Sequence, residues 1–469
     1  MIPITTFAGR KVALFGLGGS GLAAARALLA GGAEVVAFDD TEASASKAKE
    51  AGVTVADLRH IDWSGIAALV LAPGVPLTHP APHWVVGLAR NAAVPVIGDI
   101  ELFCRERRKV APQAPFIAIT GTNGKSTTTA LIGHILSASG FNAEVGGNIG
   151  KSVLELNPPT PKTIYVLEIS SYQVDLSPGL VPDVGVLSNI TPDHIDRHGT
   201  LENYAAVKAR MVKGTAKNGT AVIGVDDEHT AAIYTRMASN GGAPAVPVSV
   251  GKVLGRGVFV VDGVLYDAIA GRATKVMDLT DAAHLPGAHN WQNAALAYAA
   301  TKPYAKDMRT VASAIANFPG LAHRIEDVGR IGKVRFVNDS KATNADAAER
   351  ALVCFPDIYW IAGGKAKEGG IEPLAPHFGR IRKAYLIGDA AETFAKTLDG
   401  KAPYEIARTL DVAVANATAD AAQSGHASPV VLLSPACASF DQFSDFEARG
   451  DAFRDLVARI SAQLVKEAS

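Results

Sequence analysis

The run Gly121-Thr122-Asn123-Gly124-Lys125-Ser126-Thr127 joins a short apolar stretch, Phe116–Ile119, to a helix-forming stretch that begins at Lys125. Glycines between a strand and a helix start let backbone N–H groups converge on one point. The helix dipole favours an anion there by about 0.3–1 kcal/mol at exposed sites. Lys125 can reach the β- and γ-phosphates of a nucleotide, and the Ser126 or Thr127 hydroxyl can ligate Mg²⁺. This is the chemistry of ATP use. The strict phosphate-loop pattern asks for glycine five residues before Gly124, where this chain has Ile119, so the loop is a shorter variant. The alternative is a plain strand-to-helix turn that happens to contain Gly-Lys-Ser.

A second glycine turn, Gly16-Leu17-Gly18-Gly19-Ser20-Gly21, precedes Asp39-Asp40 at the end of the next apolar run. This is the layout of the dinucleotide fingerprint, and the same geometry holds any diphosphate, including a UDP-sugar. Alone it suggests an NAD-dependent dehydrogenase, or a tight turn with no ligand. Two phosphate sites in one chain fit a ligase or transferase better, because a dehydrogenase would leave the ATP loop idle. Glu168 ends the apolar run Thr163–Leu167. A carboxylate at the C-terminal end of a parallel strand sits where such sheets bind ligands. A surface Glu is the competing reading. His194 follows the run Val184–Ser188 in the same way.

These residues need elements to hold them. Short apolar runs alternate with Ala- and Leu-rich helical stretches from end to end, the pattern of βαβ units around parallel sheets. Strands are expected at Lys11–Phe15, Glu34–Phe38, Ala68–Leu71, Phe116–Ile119, Ile164–Ile169, Val184–Ser188 and Val334–Val337, with helices over Ser20–Ala30 and Asn290–Ala300. Arg105–Pro115, basic and then Pro-punctuated, reads as a linker. Asn240–Asp281, rich in glycine, reads as an antiparallel flap. The chain pauses again at Phe318-Pro319-Gly320. With 469 residues, roughly three domains are expected: 1–109, 110–320 and 321–469.

A net charge of −1 argues against a protein built to grip nucleic acid. Three cysteines, none in a CxxC pair, cannot make a disulfide framework. No signal-peptide pattern or membrane-spanning apolar run is present, so no membrane insertion, a cytoplasmic location and a monomer are expected.

Gly121–Thr127, Glu168-Ile169-Ser170-Ser171-Tyr172-Gln173, Asn189-Ile190-Thr191-Pro192-Asp193-His194-Ile195-Asp196-Arg197, His289-Asn290-Trp291-Gln292-Asn293, His323-Arg324, Asn338–Asn344 and Ser434–Phe443 follow one another along the chain. In these motifs and their order the sequence resembles the Mur ligase family. The resemblance covers essentially the whole chain. It implies an α/β fold in three domains: a Rossmann-like N-terminal domain for a UDP substrate, a central P-loop ATPase-type parallel sheet, and a Rossmann-like C-terminal domain that closes on the substrates. The reaction it implies joins D-glutamate to UDP-N-acetylmuramoyl-L-alanine through an acyl phosphate, in peptidoglycan synthesis. Asp339–Asn344 and Ser434–Phe446 carry the choice of glutamate, though the residues themselves select neither enantiomer. Another amino-acid-adding family member and folylpolyglutamate synthetase are the alternatives. The latter has no place for the glycine-rich first segment.

Residue by residue, the resemblance implies ATP contacts at Gly121, Thr122, Asn123, Gly124, Lys125, Ser126, Thr127, Asn290, Asn293, Arg324 and Asp339, with helix capping a competing role for Asn290. It implies two Mg²⁺ sites drawn from Ser126, Thr127, Glu168, His194 and Lys208, the last as N6-carboxylysine. Mg²⁺ prefers oxygen, so His194 is an unusual ligand, whereas a carbamate would turn Lys208 into an oxygen donor. With Lys125, these make the catalytic set. Gly18, Gly19, Ser20, Asp39, Gly74 and Asn148 match positions that line the UDP substrate, and a purely structural Asn148 competes with that role. His323, Lys341, Thr343, Lys367, Ser439, Phe440 and Phe446 match the glutamate pocket. Lys365 stands where the family often has an acid.

Overall fold

The computed structural model describes residues 1–365 and 370–467. The chain divides into two compact units, Met1–Phe318 and Pro319–Ser469. Among the described residues the strands form sheets of five, nine and six members.

The first sheet is all parallel, in the order Thr54–Val55, Glu34–Phe38, Lys11–Phe15, Ile66–Leu71, Val96–Ile97. The chain leaves its central strand to one side and later returns to the other. Such a reversal opens a crevice at the C-terminal ends of the strands, and here the crevice holds the Gly16–Gly21 turn. The turn needs glycine at its close: a Cβ on Gly21 would overlap the Gly16 carbonyl oxygen.

The second sheet runs Thr274–Asp278, Val264–Asp267, Val258–Val261, Ala245–Val250, Thr220–Gly224, Val184–Leu187, Phe116–Thr120, Thr163–Glu168, Asn142–Gly147. Phe116–Thr120 is buried along its whole length. Its side chains alternate between two cores, as the two-residue strand period requires. Ile117 and Ile119 pack with Leu131, Ile132 and Ile135 of the helix that follows the phosphate loop. Phe116 and Ala118 face the opposite core, with Tyr165, Tyr204 and Val212. Covering both faces with helices explains why the strand reads as an unbroken apolar run.

Two expectations are corrected here. Arg105–Pro115 is not a linker throughout, because Asp99–Val110 is one helix. Its Leu102, Phe103 and Cys104 are buried in a core that also contains Val12 and Leu14 of the first sheet and Tyr165 of the second. The Arg107 guanidinium donates to Asp183 Oδ2 at 2.6 Å, and the Phe116 N–H donates to the same oxygen at 2.8 Å. The basic residues that suggested a linker are thus partly spent on fixing the entry to the central strand. The flap is only partly antiparallel. Ala245–Val250 and Val258–Val261 extend the parallel ladder, and antiparallel pairing begins with Val264–Asp267.

The second unit carries the third sheet, in the order Glu326–Ile331, Val334–Asn338, Val430–Leu433, Ile358–Gly363, Ile381–Ile387, Tyr404–Arg408. Its first strand is an antiparallel edge that the sequence reading did not include. The other strands run parallel. Its polar, half-buried residues (Glu-Asp-Val-Gly-Arg-Ile) lack the apolar run of a central strand. Among the described residues no helix is long and apolar enough to cross a membrane.

Phe103 is fully buried, with its ring 5.4 Å from that of Phe116 and 5.0 Å from that of Tyr165. Phe103→Ala is therefore expected to destabilise the Met1–Phe318 unit by about 3–5 kcal/mol, read from its transition in a urea titration of the full chain. A loss below about 1 kcal/mol would show that the first two sheets do not depend on this shared core.

Candidate active site

The second sheet reverses direction at Phe116–Thr120, which lies between Thr163–Glu168 and Val184–Leu187. The C-terminal ends of these three strands bring together the phosphate loop, Glu168 and the segment from Asn189 to Arg197. Gly124 sits at φ +80° and precedes the helix Lys125–Ala138. A Cβ there would meet Asn293 Oδ1, so glycine is required both by the left-handed backbone and by the close approach. The loop is pinned from several sides. The Thr122 N–H donates to the Asn189 carbonyl at 2.9 Å, and the Asn123 N–H donates to Asn189 Oδ1 at 2.9 Å. Thr128 Oγ1 donates to Asn293 Oδ1 at 3.3 Å. Lys125 Nζ donates to the Thr122 carbonyl at 2.8 Å, so the lysine curls over its own loop. Ser126 and Thr127 are buried at the helix start.

Glu168 is 2% exposed. Its Oε1 accepts from Asn148 Nδ2 at 3.0 Å, whereas its buried Oε2 has no hydrogen-bond partner within the protein. An unsatisfied buried carboxylate oxygen costs free energy unless something else meets it. A hard cation would satisfy it, so the donor set fits Mg²⁺. Among the described residues no three His, Cys, Asp or Glu side chains gather as a metal cage.

Lys208 lies beneath the loop, 1% exposed, on the helix Leu201–Lys213. Its Nζ donates to the Gly121 carbonyl at 2.8 Å and to Thr120 Oγ1 at 3.3 Å, and it lies 4.8 Å from the centre of the Tyr204 ring. Burial, and then the Lys125 charge, push its ammonium well below the usual lysine range, against the pull of Asp193 and Glu168. A lysine poised to lose its proton can react with CO₂, and a carbamate fits it for that reason.

His194 stands at φ +52° before the short helix Ile195–His198. Its Nδ1 is 2.8 Å from the Tyr172 hydroxyl, and its Nε2 is 3.4 Å from Asp193 Oδ2. Asn290 is not the cap of its helix; Gly287 is. The Asn290 amide donates to the Pro286 carbonyl, and its Oδ1 accepts from Asn293 Nδ2 at 3.2 Å.

In the first sheet's crevice, Gly18, Gly19 and Gly74 are exposed and Ser20 is half-buried. Asp39 is already engaged in fixing the turn: its Oδ2 accepts from the Leu17 N–H at 2.6 Å and its Oδ1 from the Thr41 N–H. Gly74 is tied to Arg197, whose Nη1 donates to its carbonyl at 2.8 Å. Asn148 is bonded to Glu168 through both its side chain and its N–H.

Within the second unit, the ends of the third sheet's strands gather His323, Asp339, Lys341, Ser439 and Phe446. Asp339, matched by resemblance to an ATP contact, is tied into the protein. It is 4% exposed, with Oδ2 accepting from Ser434 Oγ at 2.7 Å and Oδ1 from the Ile325 N–H at 3.2 Å. Burial raises its carboxyl to about 7. His323 is also internal: its Nδ1 is 3.0 Å from Asn338 Nδ2, and burial lowers its pKa. Lys341 Nζ lies 5.3 Å from the centre of the Phe446 ring, and the Thr343 N–H donates to the Lys341 carbonyl. Ser439 is buried and Phe440 is 69% exposed. Arg324 lies close enough to Asp339 for its charge to act on it. Lys365 pairs with Ala438 in a bridge between backbones. Lys367 lies outside the described residues.

Sequence reasoning gave no role to Asn189, Tyr172, Tyr204 or Arg449. Tyr204 hydrogen-bonds Thr122 at 3.1 Å. Arg449 is 1% exposed and donates to Ser340 Oγ, the Ser340 carbonyl and the Cys437 carbonyl. The first two lie inside quoted motifs, where a role could have been sought. Arg449, on a helix rich in charged residues, carried no signal.

Residues 119–301 match the Mur ligase middle domain, and residues 323–437 match the Mur ligase, glutamate ligase domain. The UDP-N-acetylmuramoylalanine--D-glutamate ligase of Nitrobacter hamburgensis is 56% identical over 461 residues, covering 97% of this chain and 98% of that protein. The enzyme of the same name from Agrobacterium fabrum is 56% identical over 462 residues, covering 98% and 97%. A crystal structure of UDP-N-acetylmuramate-alanine ligase from Thermotoga maritima shares the fold, with a TM-score of 0.58 at 18% identity over 97% of this chain and 99% of that one. On this agreement of motifs, fold and relatives, the chain belongs to the Mur ligase family.

Proposed function

We infer that this chain is an ATP-dependent amide-bond-forming ligase that adds D-glutamate to UDP-N-acetylmuramoyl-L-alanine in peptidoglycan synthesis. The observation that carries the reading is the phosphate loop, the unpaired Glu168 oxygen and the desolvated Lys208 meeting at one strand reversal, in a chain 56% identical to ligases of that name.

The alanyl carboxylate oxygen attacks the γ-phosphorus of ATP. The bond to the bridging oxygen breaks, ADP leaves and an acyl phosphate forms. The glutamate amine then attacks the acyl carbon, the C–N bond forms, the C–O bond to phosphate breaks, and the amine sheds a proton. Most of the catalysis is positioning and charge neutralisation. The loop N–H groups and Lys125 hold the β- and γ-phosphates, and Gly124 lets them approach. Asn293 and Asn189 keep the loop in shape. Glu168 with Ser126 or Thr127, and His194 with carbamylated Lys208, would hold Mg²⁺, which when bound would supply charge to offset the negative phosphoryl oxygens. Carbamylation joins the neutral Lys208 amine to CO₂ with loss of one proton. Gly18, Gly19, Ser20, Asp39, Gly74 and Asn148 are assigned to the UDP substrate, Asp39 also holding the glycine turn and Asn148 also bonding Glu168. His323, Lys341, Thr343, Lys367, Ser439, Phe440 and Phe446 are assigned to glutamate, and Arg324 and Asp339 to ATP. The functional division is 1–109 for the UDP substrate, 110–320 for ATP and 321–469 for glutamate.

Phosphate release is expected only when ATP, Mg²⁺, UDP-N-acetylmuramoyl-L-alanine and D-glutamate are all present, with L-glutamate failing to replace D-glutamate. Release that persists without the muramyl substrate would overturn the assignment. Lys208→Ala is expected to lower kcat by about 100-fold or more. Bicarbonate should not restore it, whereas acetate or propionate should recover part of the loss by supplying the missing carboxylate. Full activity in Lys208→Ala would show that no carbamate is needed.

A further inference from the structure

His194 holds a left-handed backbone, φ +52°, at a non-glycine residue. Such a conformation is strained and persists only where its surroundings over-determine it. The surroundings here are specific. Tyr172 lies on the helix Ser171–Asp175, whose start is closed by a reciprocal Ser170–Gln173 cap. The Gln173 amide in turn donates to the buried Asp99 carboxylate at 3.1 and 3.3 Å. This anchored helix presents the Tyr172 ring to His194, with centroids 5.0 Å apart, and stacks it on His198 at 5.6 Å and 20°. The Arg197 guanidinium lies 4.6 Å from the same ring's centre. The Tyr172 hydroxyl is 2.8 Å from His194 Nδ1. His194 Nε2 is on the side of Asp193, whose charge acts on Lys208.

We propose that Tyr172 is a positioning residue for His194, its hydroxyl holding Nδ1 so that Nε2 is the nitrogen turned toward Asp193. This rests on the assignment of His194 to the metal-bearing side of the site. Tyrosine suits the task because its hydroxyl both donates and accepts. When Nε2 carries the proton and faces the Asp193 carboxylate, Nδ1 accepts from the Tyr172 O–H. When Nε2 must offer its lone pair, Nδ1 takes the proton and donates to the Tyr172 oxygen. One partner therefore serves both tautomers without moving the ring, the usual function of a group that backs a ligating histidine. A phenylalanine would keep the ring contacts and lose only this bond.

The test compares the full chain with Tyr172→Phe. Long-range ¹H–¹⁵N correlation spectra of histidine-labelled, metal-free protein report the tautomer, with His194→Gln used solely to assign the His194 resonances. The parent is expected to show a single His194 tautomer with Nδ1 unprotonated. Tyr172→Phe is expected to move the Nδ1 resonance downfield, as an unprotonated ring nitrogen that has lost its hydrogen-bond donor. It should also need about tenfold more Mg²⁺ for half-maximal phosphate release, with an unchanged melting temperature. Unchanged ¹⁵N shifts in Tyr172→Phe overturn the proposal, whatever happens to activity. Altered shifts with unchanged Mg²⁺ dependence overturn it as well. A parent protein lacking substrate-dependent phosphate release would instead overturn the ligase assignment, so the two failures are distinct.

Discussion

Lys208 is the constraint around which the ATP-binding region is organised. A lysine ammonium taken out of water is costly unless it is paired, and the common escape is to give up the proton. Here the amine is buried under the phosphate loop, bonded to the Gly121 carbonyl and to Thr120, with a second lysine close enough to disfavour its charge. That placement requires the helix Leu201–Lys213 to pack on one face of the second sheet. It also requires Tyr204, one turn earlier, to close the side of the cavity and reach Thr122. The opposite face is filled by the helix Ala288–Thr301, whose Asn293 meets Gly124. The loop is thus held from above and below by two helices that are remote in sequence.

Glu168 obeys the same logic with the opposite sign. One oxygen is satisfied by Asn148 and the other is buried without a protein partner. A desolvated carboxylate and a desolvated amine near an array of backbone N–H groups form a site incomplete by itself, and its unmet hydrogen-bonding capacity is the capacity to bind. Preorganisation of this kind avoids the reorganisation cost at the moment of reaction.

The second unit relies on a different device. Its polar interior bonds within itself: Asp339 bonds Ser434 and the Ile325 N–H, while Arg449 joins Ser340 to Cys437, with Arg449 Nη1 buried and unpartnered. These groups shape the strand ends from within. Arg449 has no carboxylate partner in this network, and burial draws its pKa down to about 10. Carbonyl oxygens are the acceptors that keep it in place.

The sequence by itself determined the βαβ alternation, the two glycine turns and the strand-end positions of Glu168 and His194. Each rests on a local rule of period, turn chemistry or strand-to-helix succession. Most strand limits agreed to within a residue or two, because an apolar run covered on both faces ends where its cover ends. What composition could not supply was partnership. Arg105–Pro115 looked like a linker since basic residues usually face water, yet Arg107 is buried against Asp183, and Phe103 joins two sheets in one core. Spacing alone did not separate Lys208 from an ordinary helix lysine; its burial and hydrogen bonds do, because desolvation depends on what packs from distant parts of the chain. Tyr172 lay inside a recognised motif, but its reach to His194 exists only once the strands before them are brought to either side of Phe116–Thr120.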